Sequence, residues 1–540
     1  MARILLGWLA MALLALGVPA AAQVPLPRVV DGPLRPMLEV DGQPFLALAV
    51  QANNSSNYPA VLPQVWPVAR RVGANTVMLP VAWEQVEPVE GAFDFADVDA
   101  MLAGARQNDL RLVLLWYGTW KNTGLSYTPA WVKRDGRRFP RMRHASGQAH
   151  GTLSPHGAET MAADARAFAA LMRHLRAADP QHTVIMVQVE NEAGSWNLPR
   201  DHSPEGEALF SGLIPQELAS ALAIPRRSWT EAFGPRAEQF FMSWHVARYI
   251  DHVARAGQAE LDLPMIANAA LGNAFTDEGG DVGPSGGPNW NVLPVWRAAA
   301  PSLSAVGPDI YNRDAAAVER FLDRYAAHGP LIVPEIGNAA EYARFAWPAF
   351  GRGALLYSPF GMDATGYVNY PLGAKVLDEA TLEAFAAPYR LLGSAMSGWP
   401  RIAAEHPLWG TARGPDGADQ STVMGRWRLT AAYGRWAFGE DDWTWIARDP
   451  HPLADALTGG LVVAQLDADT FLVGGQNVRL ALALASPEPG EVAQVIEAQE
   501  GTFVDGQWVM RRRWNGDQID YGFSFGTEPV WLRIEMGTYR

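Results

Sequence analysis

Residues 183–194 read TVIMVQVENEAG. The run is apolar on both parities up to Val189, then turns polar at Glu190, Asn191 and Glu192 and meets Gly194. Apolar residues on both parities mark a strand covered on both faces, as in a parallel sheet. A carboxylate that follows an asparagine at the open end of such a strand is an unusual choice for packing alone. The chain outside this stretch supplies seven more segments of the same kind.

They are FLALAVQANN (45–54), ANTVMLPVAW (74–83), LRLVLLWYGTW (110–120), LPMIANAAL (263–271), LSAVGPDIYN (303–312), PLIVPEIG (330–337) and GALLYSPFG (353–361). Helix-patterned stretches separate them, at 63–72, 97–107, 159–178, 236–256, 292–299, 315–328, 339–350 and 375–397. Eight strands alternating with helices predict an α/β fold, a (β/α)8 TIM barrel over residues 23–399. The connections after strands two to five carry extra length. In this architecture they share the face where active sites are built.

Past residue 400 the pattern becomes short strands and turns, such as Asp505-Gly506 and Asn515-Gly516, the latter a hairpin signal. Residues 400–540 are expected to form an all-β, sandwich-like domain. Arg511, Arg512 and Arg513 read as a solvated strand end.

Composition narrows the function classes. The chain has 540 residues, 49% of them hydrophobic, enough for a barrel core plus a smaller unit. A net charge of −14 with no basic stretch argues against nucleic acid as a partner. The absence of cysteine removes thiolate catalysis, disulfides and cysteine-ligated metals. The 21 tryptophans serve either a large aromatic core or sugar-stacking faces in a cleft. MARILLGWLAMALLALGVPAAAQ opens with Arg3, an apolar run and Ala20-Ala21-Ala22, the layout of a secretory signal cleaved near residue 22. Export to the periplasm or medium is expected, with no stable membrane insertion after cleavage.

The seventh strand supplies the partner for residue 192. LIVPEIGN is apolar up to Pro334 and then presents Glu335. Glu192 ends strand four and Glu335 ends strand seven, so both face the mouth of one barrel. Two carboxylates in a sugar-sized cleft suit glycosidic bond cleavage: one protonates the leaving oxygen and the other attacks or supports the oxocarbenium-like centre. The placement predicts a gap of about 5 Å, the separation for double displacement with retention. Glu192 is then acid and later base, and Glu335 the nucleophile. Asn191 is expected to hydrogen-bond the sugar 2-hydroxyl. Glu190, two positions earlier, shares the strand with Glu192, and spacing alone does not exclude it.

VQVENEAGSW together with VPEIG resembles the large clan of retaining glycosidases whose catalytic pair stands on strands four and seven. VAWEQVEPVEGAFDF (81–95) and the stretch 286–312 narrow the resemblance to the β-galactosidases of glycoside hydrolase families 35 and 42, with a C-terminal β domain as in one exported subgroup. The resemblance implies a retaining exo-β-galactosidase acting on oligosaccharide or polysaccharide, such as xyloglucan side chains. It implies that Tyr311 hydrogen-bonds the nucleophile, and that Glu87 organises the 81–95 turn. LWYGTWKN (115–122) departs from family 35, which carries an acidic segment there. Trp116, Trp120, Lys121 and Asn122 are expected to shape the sugar pocket, with Trp120 either a stacking platform or a core residue. Trp83 and Tyr357 are further candidates for substrate contact.

Other readings are a β-glucosidase, an arabinosidase, a mannanase, or a non-catalytic carbohydrate-binding protein. No cofactor is expected: His182, His202 and His245 lack metal-ligand spacing. Asp277, Glu278 and Asp281 read as a solvated acidic loop rather than a calcium site.

Overall fold

The computed structural model describes residues 24–272, 284–434, 445, 453 and 455–540. Eight parallel strands close into a barrel: β1 (Ala47–Gln51), β2 (Thr76–Ala82), β3 (Arg111–Lys121), β4 (Val184–Asn191), β5 (Met265–Ala270), β6 (Ala305–Ile310), β7 (Val333–Ile336) and β8 (Leu356–Pro359). Neighbours around the barrel follow chain order, and β8 returns to β1 through the pairs Leu356–Ala47 and Tyr357–Leu48. Every residue of β2 and β4 is buried. That accounts for their apolar runs on both parities: one face fills the barrel and the other lies under the helices.

The helices Ala158–Ala178 and Ala237–Gln258 pack side by side outside the barrel. Their buried faces carry Phe168, Leu171 and Leu175 on one and Phe241, Ile250 and Val253 on the other. Burying each such side chain stabilises the fold by about 1.5–3 kcal/mol. The stretch expected as one helix over 339–350 is two short turns, Ala340–Phe345 and Ala346–Phe350.

A small antiparallel sheet, Arg28–Val30, Met37–Val40 and Gln43–Phe45, precedes the barrel. Leu38 and Val40 from it join the interior layer of Ala47, Met78, Val113 and Ile185. This covers the N-terminal end of the barrel, so the cleft belongs to the C-terminal end.

Two antiparallel sheets follow. One has six strands, Leu408–Ala412 to Gly460–Gln465 to Thr470–Gln476 to Val530–Tyr539 to Val492–Val504 to Gln507–Arg513. The other has four, Gln420–Met424, Trp427–Ala432, Val478–Leu484 and Phe523–Phe525. A core with Trp427, Leu480, Phe523 and Leu532 lies between them. Trp531 ties the larger sheet to the barrel's last long helix, its Nε1 donating to the Leu391 carbonyl at 3.0 Å.

Asp505-Gly506 forms a hairpin turn, both residues left-handed at φ 49° and 75°. Asn515-Gly516 does not. Asn515 is extended, Gly516 starts a short 3-10 turn, and the chain crosses to the other sheet at Phe523. Arg512 and Arg513 pair with Glu500 and Glu497 along the edge strand. Residues 1–22, and with them the proposed signal segment, lie outside the described residues. Among the described residues no helix is long and apolar enough to cross a membrane.

Candidate active site

The end of β4 leaves regular strand geometry. Glu190 and Glu192 both adopt left-handed backbone, φ 63° and 44°, as do Asn122 and Thr123 on the facing end of β3. Non-glycine residues in this region store strain that the surrounding contacts must hold. Thr123 N–H donates to the Glu192 carbonyl at 3.1 Å, and Glu192 N–H donates to Asn268 Oδ1 at 2.9 Å.

The twist sends the two glutamates to different places. Glu190 folds back onto β3 and accepts from the backbone N–H groups of Thr119 at 3.1 Å and Trp120 at 2.7 Å. It has room because residue 118 is glycine; a Cβ there would stand 2.6 Å from Glu190 Oε1 and 2.7 Å from Asp164 Oδ1. Glu192 instead lines the cleft, with Glu335 opposite. The ambiguity that spacing left between the two is resolved by this backbone geometry.

Glu192, Glu335 and a third group, Asp309, each place a carboxyl oxygen within 4.8 Å of the others. Asp309 is on β6, in direct register with Glu335 on β7. Glu335 is buried and accepts from the Tyr311 hydroxyl at Oε1 and from Gln51 Nε2 at Oε2, the latter at 3.1 Å. The Tyr311 carbonyl accepts from the Tyr342 hydroxyl at 2.7 Å, which ties this part of the chain to the turn after β7. Burial first, then the charge of Glu335, pushes the Glu192 carboxyl up to about 7, against the opposing pull of Lys121. Burial, with Glu335 beside it, likewise raises the Tyr311 hydroxyl.

Asn191 is buried beside the pair. Its Oδ1 accepts from Lys121 Nζ at 2.9 Å, and its Nδ2 is a buried donor with no acceptor among the described residues. Lys121 Nζ also donates to Asn122, and both residues line the cleft.

Three expected substrate contacts are elsewhere. Trp120 is fully buried, edge-on to Tyr249 at 4.7 Å, so of its two open roles the core one holds. Trp83 is buried, with Nε1 donating to Glu87 at 2.9 Å. Tyr357 is buried, its hydroxyl donating to the Tyr342 carbonyl at 2.8 Å. All three lie outside the cleft lining, because their side chains point from the strands into packed layers rather than to the mouth. Trp116 is buried too. Glu87 holds the turn after β2, accepting from Trp83, from Gly91 N–H and from Arg166.

Sequence reading missed Gln51, Asn268 and Asp309. Each is a lone polar residue near the C-terminal end of an apolar strand, which is the signal that could have found them. It also missed the loop after β8. That loop brings Thr365, Tyr367, Asn369 and Leu372 to the cleft wall. Asp363 anchors it to the loop after β1, accepting from Asn53 N–H at 2.8 Å and Ser56 at 2.7 Å. The cleft measures about 980 Å³.

The three carboxyls are spaced closely enough to ligate a cation, but Tyr311, Gln51 and Asn268 already donate to their oxygens. Asp277, Glu278 and Asp281 lie outside the described residues.

Residues 62–243, which span β2, β3 and β4 with Glu192, match the glycoside hydrolase family 42 model described as Beta-galactosidase. That match lies within the barrel and takes in about a third of the chain. Residues 385–526 match a second model, a domain of unknown function named DUF5597, which covers most of the β-rich C-terminal region. A Beta-galactosidase of Xanthomonas manihotis is 30% identical over 209 residues, 36% of this chain and 32% of that protein. The chain thus matches about a third of the relative's length. Among solved structures, a beta-galactosidase from the psychrophilic Marinomonas ef1 superposes with a TM-score of 0.45 at 14% identity, over 64% of this chain and 59% of that one. A cold-adapted beta-galactosidase from Rahnella sp. R3 gives 0.46 at 15% identity, over 68% and 58%.

Proposed function

We propose that this protein is a retaining, exo-acting β-galactosidase that removes terminal β-galactosyl residues from oligosaccharides. The observation that carries the proposal is the spacing of Glu192 and Glu335, whose carboxyl oxygens lie within 4.8 Å. That falls with the roughly 5–5.5 Å class in which one carboxylate attacks directly, not the ~6.5–9.5 Å class that admits a water between.

The steps follow from the environments. Glu335, supplied with two hydrogen-bond donors, attacks the anomeric carbon as a carboxylate. Glu192, kept protonated by burial and by Glu335, gives its proton to the departing oxygen. A water then enters, Glu192 takes its proton, and the oxygen displaces Glu335. Two inversions at one carbon give retention. Asn191 Nδ2 is free to donate to the sugar 2-hydroxyl, a bond that tightens as charge develops on the ring.

The galactosyl preference is supported by the matched Beta-galactosidase family and by the Xanthomonas manihotis relative. The motif at 81–95 resembles families 35 and 42 alike, and the stretch 286–312 resembles a family 35-like subgroup. A second reading, another β-glycoside as substrate, is favoured by one observation: Lys121 and Asn122 stand where family 35 carries an acidic segment. A panel of aryl β-glycosides, followed by proton NMR of the first-formed anomer, tests both. Release of the β-anomer from an aryl β-galactoside supports the proposal. The α-anomer would overturn retention, and turnover of other glycosides alone would overturn galactose.

Export is part of the same proposal, supported by the signal-like layout of residues 1–22. A mature N-terminus near Gln23 on secreted protein is the expected result; an intact Met1 would refute it.

A further inference from the structure

Asp309 has no role in the two-carboxylate scheme, yet it is fully enclosed in the same cluster. Its Oδ2 accepts from Asn268 Nδ2 at 2.6 Å. The orientation of that amide is fixed, because Asn268 Oδ1 already accepts from Glu192 N–H at 2.9 Å. Asn268 therefore holds Asp309 with one end and the backbone of Glu192 with the other. Asp309 Oδ1 is buried and receives no hydrogen bond from an N–H or hydroxyl among the described residues. Its carboxyl places an oxygen within 4.8 Å of one on Glu192.

Two buried carboxyl groups this close avoid mutual repulsion, and can share a hydrogen bond, when one of them carries a proton. The groups around Asp309 show where the proton sits. Glu192 faces it from the end of β4, Glu335 from β7, Lys121 and Tyr117 from β3, Tyr311 from its own strand, and Tyr325 from the helix Ala315–Ala326. Lys121 is the one cation in this set, and its ammonium donates to Asn122 and Asn191. The Tyr311 hydroxyl goes to Glu335 and the Tyr325 hydroxyl to the Pro288 carbonyl. Three carboxylates facing one ammonium would be strongly repulsive in a buried site. Glu335 has two donors and Asp309 has one, so the anion settles on Glu335. Burial, then the charges of Glu335 and Glu192, raises the Asp309 carboxyl well above its ordinary range.

We propose that Asp309 is a positioning residue that stays protonated through the working pH range and donates its Oδ1 proton to the Glu192 carboxyl. Three carboxyl groups then hold two protons while Glu192 is the acid. They hold one, on Asp309, when Glu192 has become the base and Glu335 carries the sugar. The donated hydrogen bond aims Glu192 in both half-reactions and stabilises its anionic form in the second. The roles of Glu192 and Glu335 are those of the glycosidase proposal, on which this inference rests.

The test compares Asp309→Ala and Asp309→Asn with wild type. Asparagine reproduces a neutral carboxyl here: its oxygen can accept from Asn268 and its NH₂ can donate to Glu192. Asp309→Ala is expected to lose roughly 10- to 100-fold in kcat, the effect of removing a hydrogen bond to a charged group. Its alkaline limb should move to higher pH, because the Glu192 anion has lost a donor. Asp309→Asn should recover most of that loss. An Asp309→Asn variant as impaired as Asp309→Ala, or with its alkaline limb moved to lower pH, would mean that wild-type Asp309 is a carboxylate, and the proposal would fall. Carbon-13 NMR of labelled aspartate in the wild-type protein reads the same proton without turnover. A resonance at the protonated position from pH 5 to 7 supports the assignment even if the substrate proposal fails, and a titration below pH 5 overturns it.

Discussion

Lys121 Nζ donates to Asn191 Oδ1 at 2.9 Å, and this contact decides which end of the Asn191 amide is left free. A lysine has donors only, so the oxygen must face it and the nitrogen is the atom available to a sugar hydroxyl. The same ammonium lowers the Glu192 carboxyl. Lys121→Met removes both effects. Expected is a fall of roughly 10- to 100-fold in kcat/KM on an aryl β-galactoside, from loss of a charged hydrogen bond that orients the sugar contact. The alkaline limb should move to higher pH, since Glu192 then holds its proton more tightly. A pH–rate profile of the variant checks both. A limb moving to lower pH would contradict the charge relationship.

In the free enzyme Glu192 titrates at about 7, so the acid form disappears as pH rises through that value. Activity as kcat/KM is expected to decline above it by about tenfold per pH unit. The second cause of the upward push is Glu335. In Glu335→Gln, which is expected to be inactive, the Glu192 resonance of carbon-13-labelled glutamate should therefore titrate at lower pH. Stability carries the same signature. A carboxyl whose folded-state value is raised binds its proton more tightly when folded, so its contribution is full below its ordinary value of 4.5 and is lost as pH rises through about 7. Glu192→Gln should thus gain more in Tm over wild type at pH 8 than at pH 5. Equal gains at the two pH values would argue against the raised carboxyl.

The barrel was legible in the sequence because its strands are buried on both faces, which leaves long apolar runs that little else produces. Glu192 and Glu335 stood out for the same reason: each breaks such a run at its C-terminal end. The errors cluster where one-dimensional spacing gives no direction. Trp83 and Tyr357 sit near strand ends as expected, but their rings turn into the core. Gln51, Asn268 and Asp309 were passed over because a single polar residue inside an apolar run looks like noise until the closed barrel brings three such residues around one point. The loop after β8 holds Gly361, Gly366, Pro371 and Gly373, but these say only that it is a loop; its place in the cleft comes from Asp363 binding the loop after β1.

Glu190 and Glu192 are two residues apart and chemically identical, so substitution separates them sharply. Burial and the neighbouring Asp164 raise the Glu190 carboxyl well above its ordinary range, against the pull of the Thr119 and Trp120 amides that it clamps. Glu190→Gln keeps the shape of the side chain. It is expected to retain activity within about tenfold while losing roughly 1–3 kcal/mol of stability from one poorly matched backbone donor. Glu192→Gln should lose at least about a thousandfold on a substrate with a poor leaving group. Gly118→Ala tests the clamp from the other side. A Cβ at 2.6 Å from Glu190 Oε1 must displace it, and a loss of about 1–3 kcal/mol is expected from overpacking. Thermal melts and single-substrate kinetics on the three variants decide the matter. A Glu190→Gln enzyme as dead as Glu192→Gln would overturn the assignment of the catalytic acid.

Trp196 and Tyr367 line the cleft from opposite loops, after β4 and after β8, and remain 43% and 65% exposed. Large aromatic faces left open at the mouth of a 980 Å³ cleft have more room around them than one sugar ring needs. They are placed to stack on the rings beyond the bond that is cut, where an apolar sugar face meets an aromatic one. An aryl β-galactoside has no such rings. Trp196→Ala and Tyr367→Ala are therefore expected to raise KM for a galactosylated oligosaccharide about three- to tenfold each, the size of one stacking contact, with far less change on the aryl substrate. Steady-state kinetics on the two substrates side by side makes the comparison. Equal changes on both would mean that these rings contact the terminal sugar itself, and the cleft would then be a pocket closed over one residue.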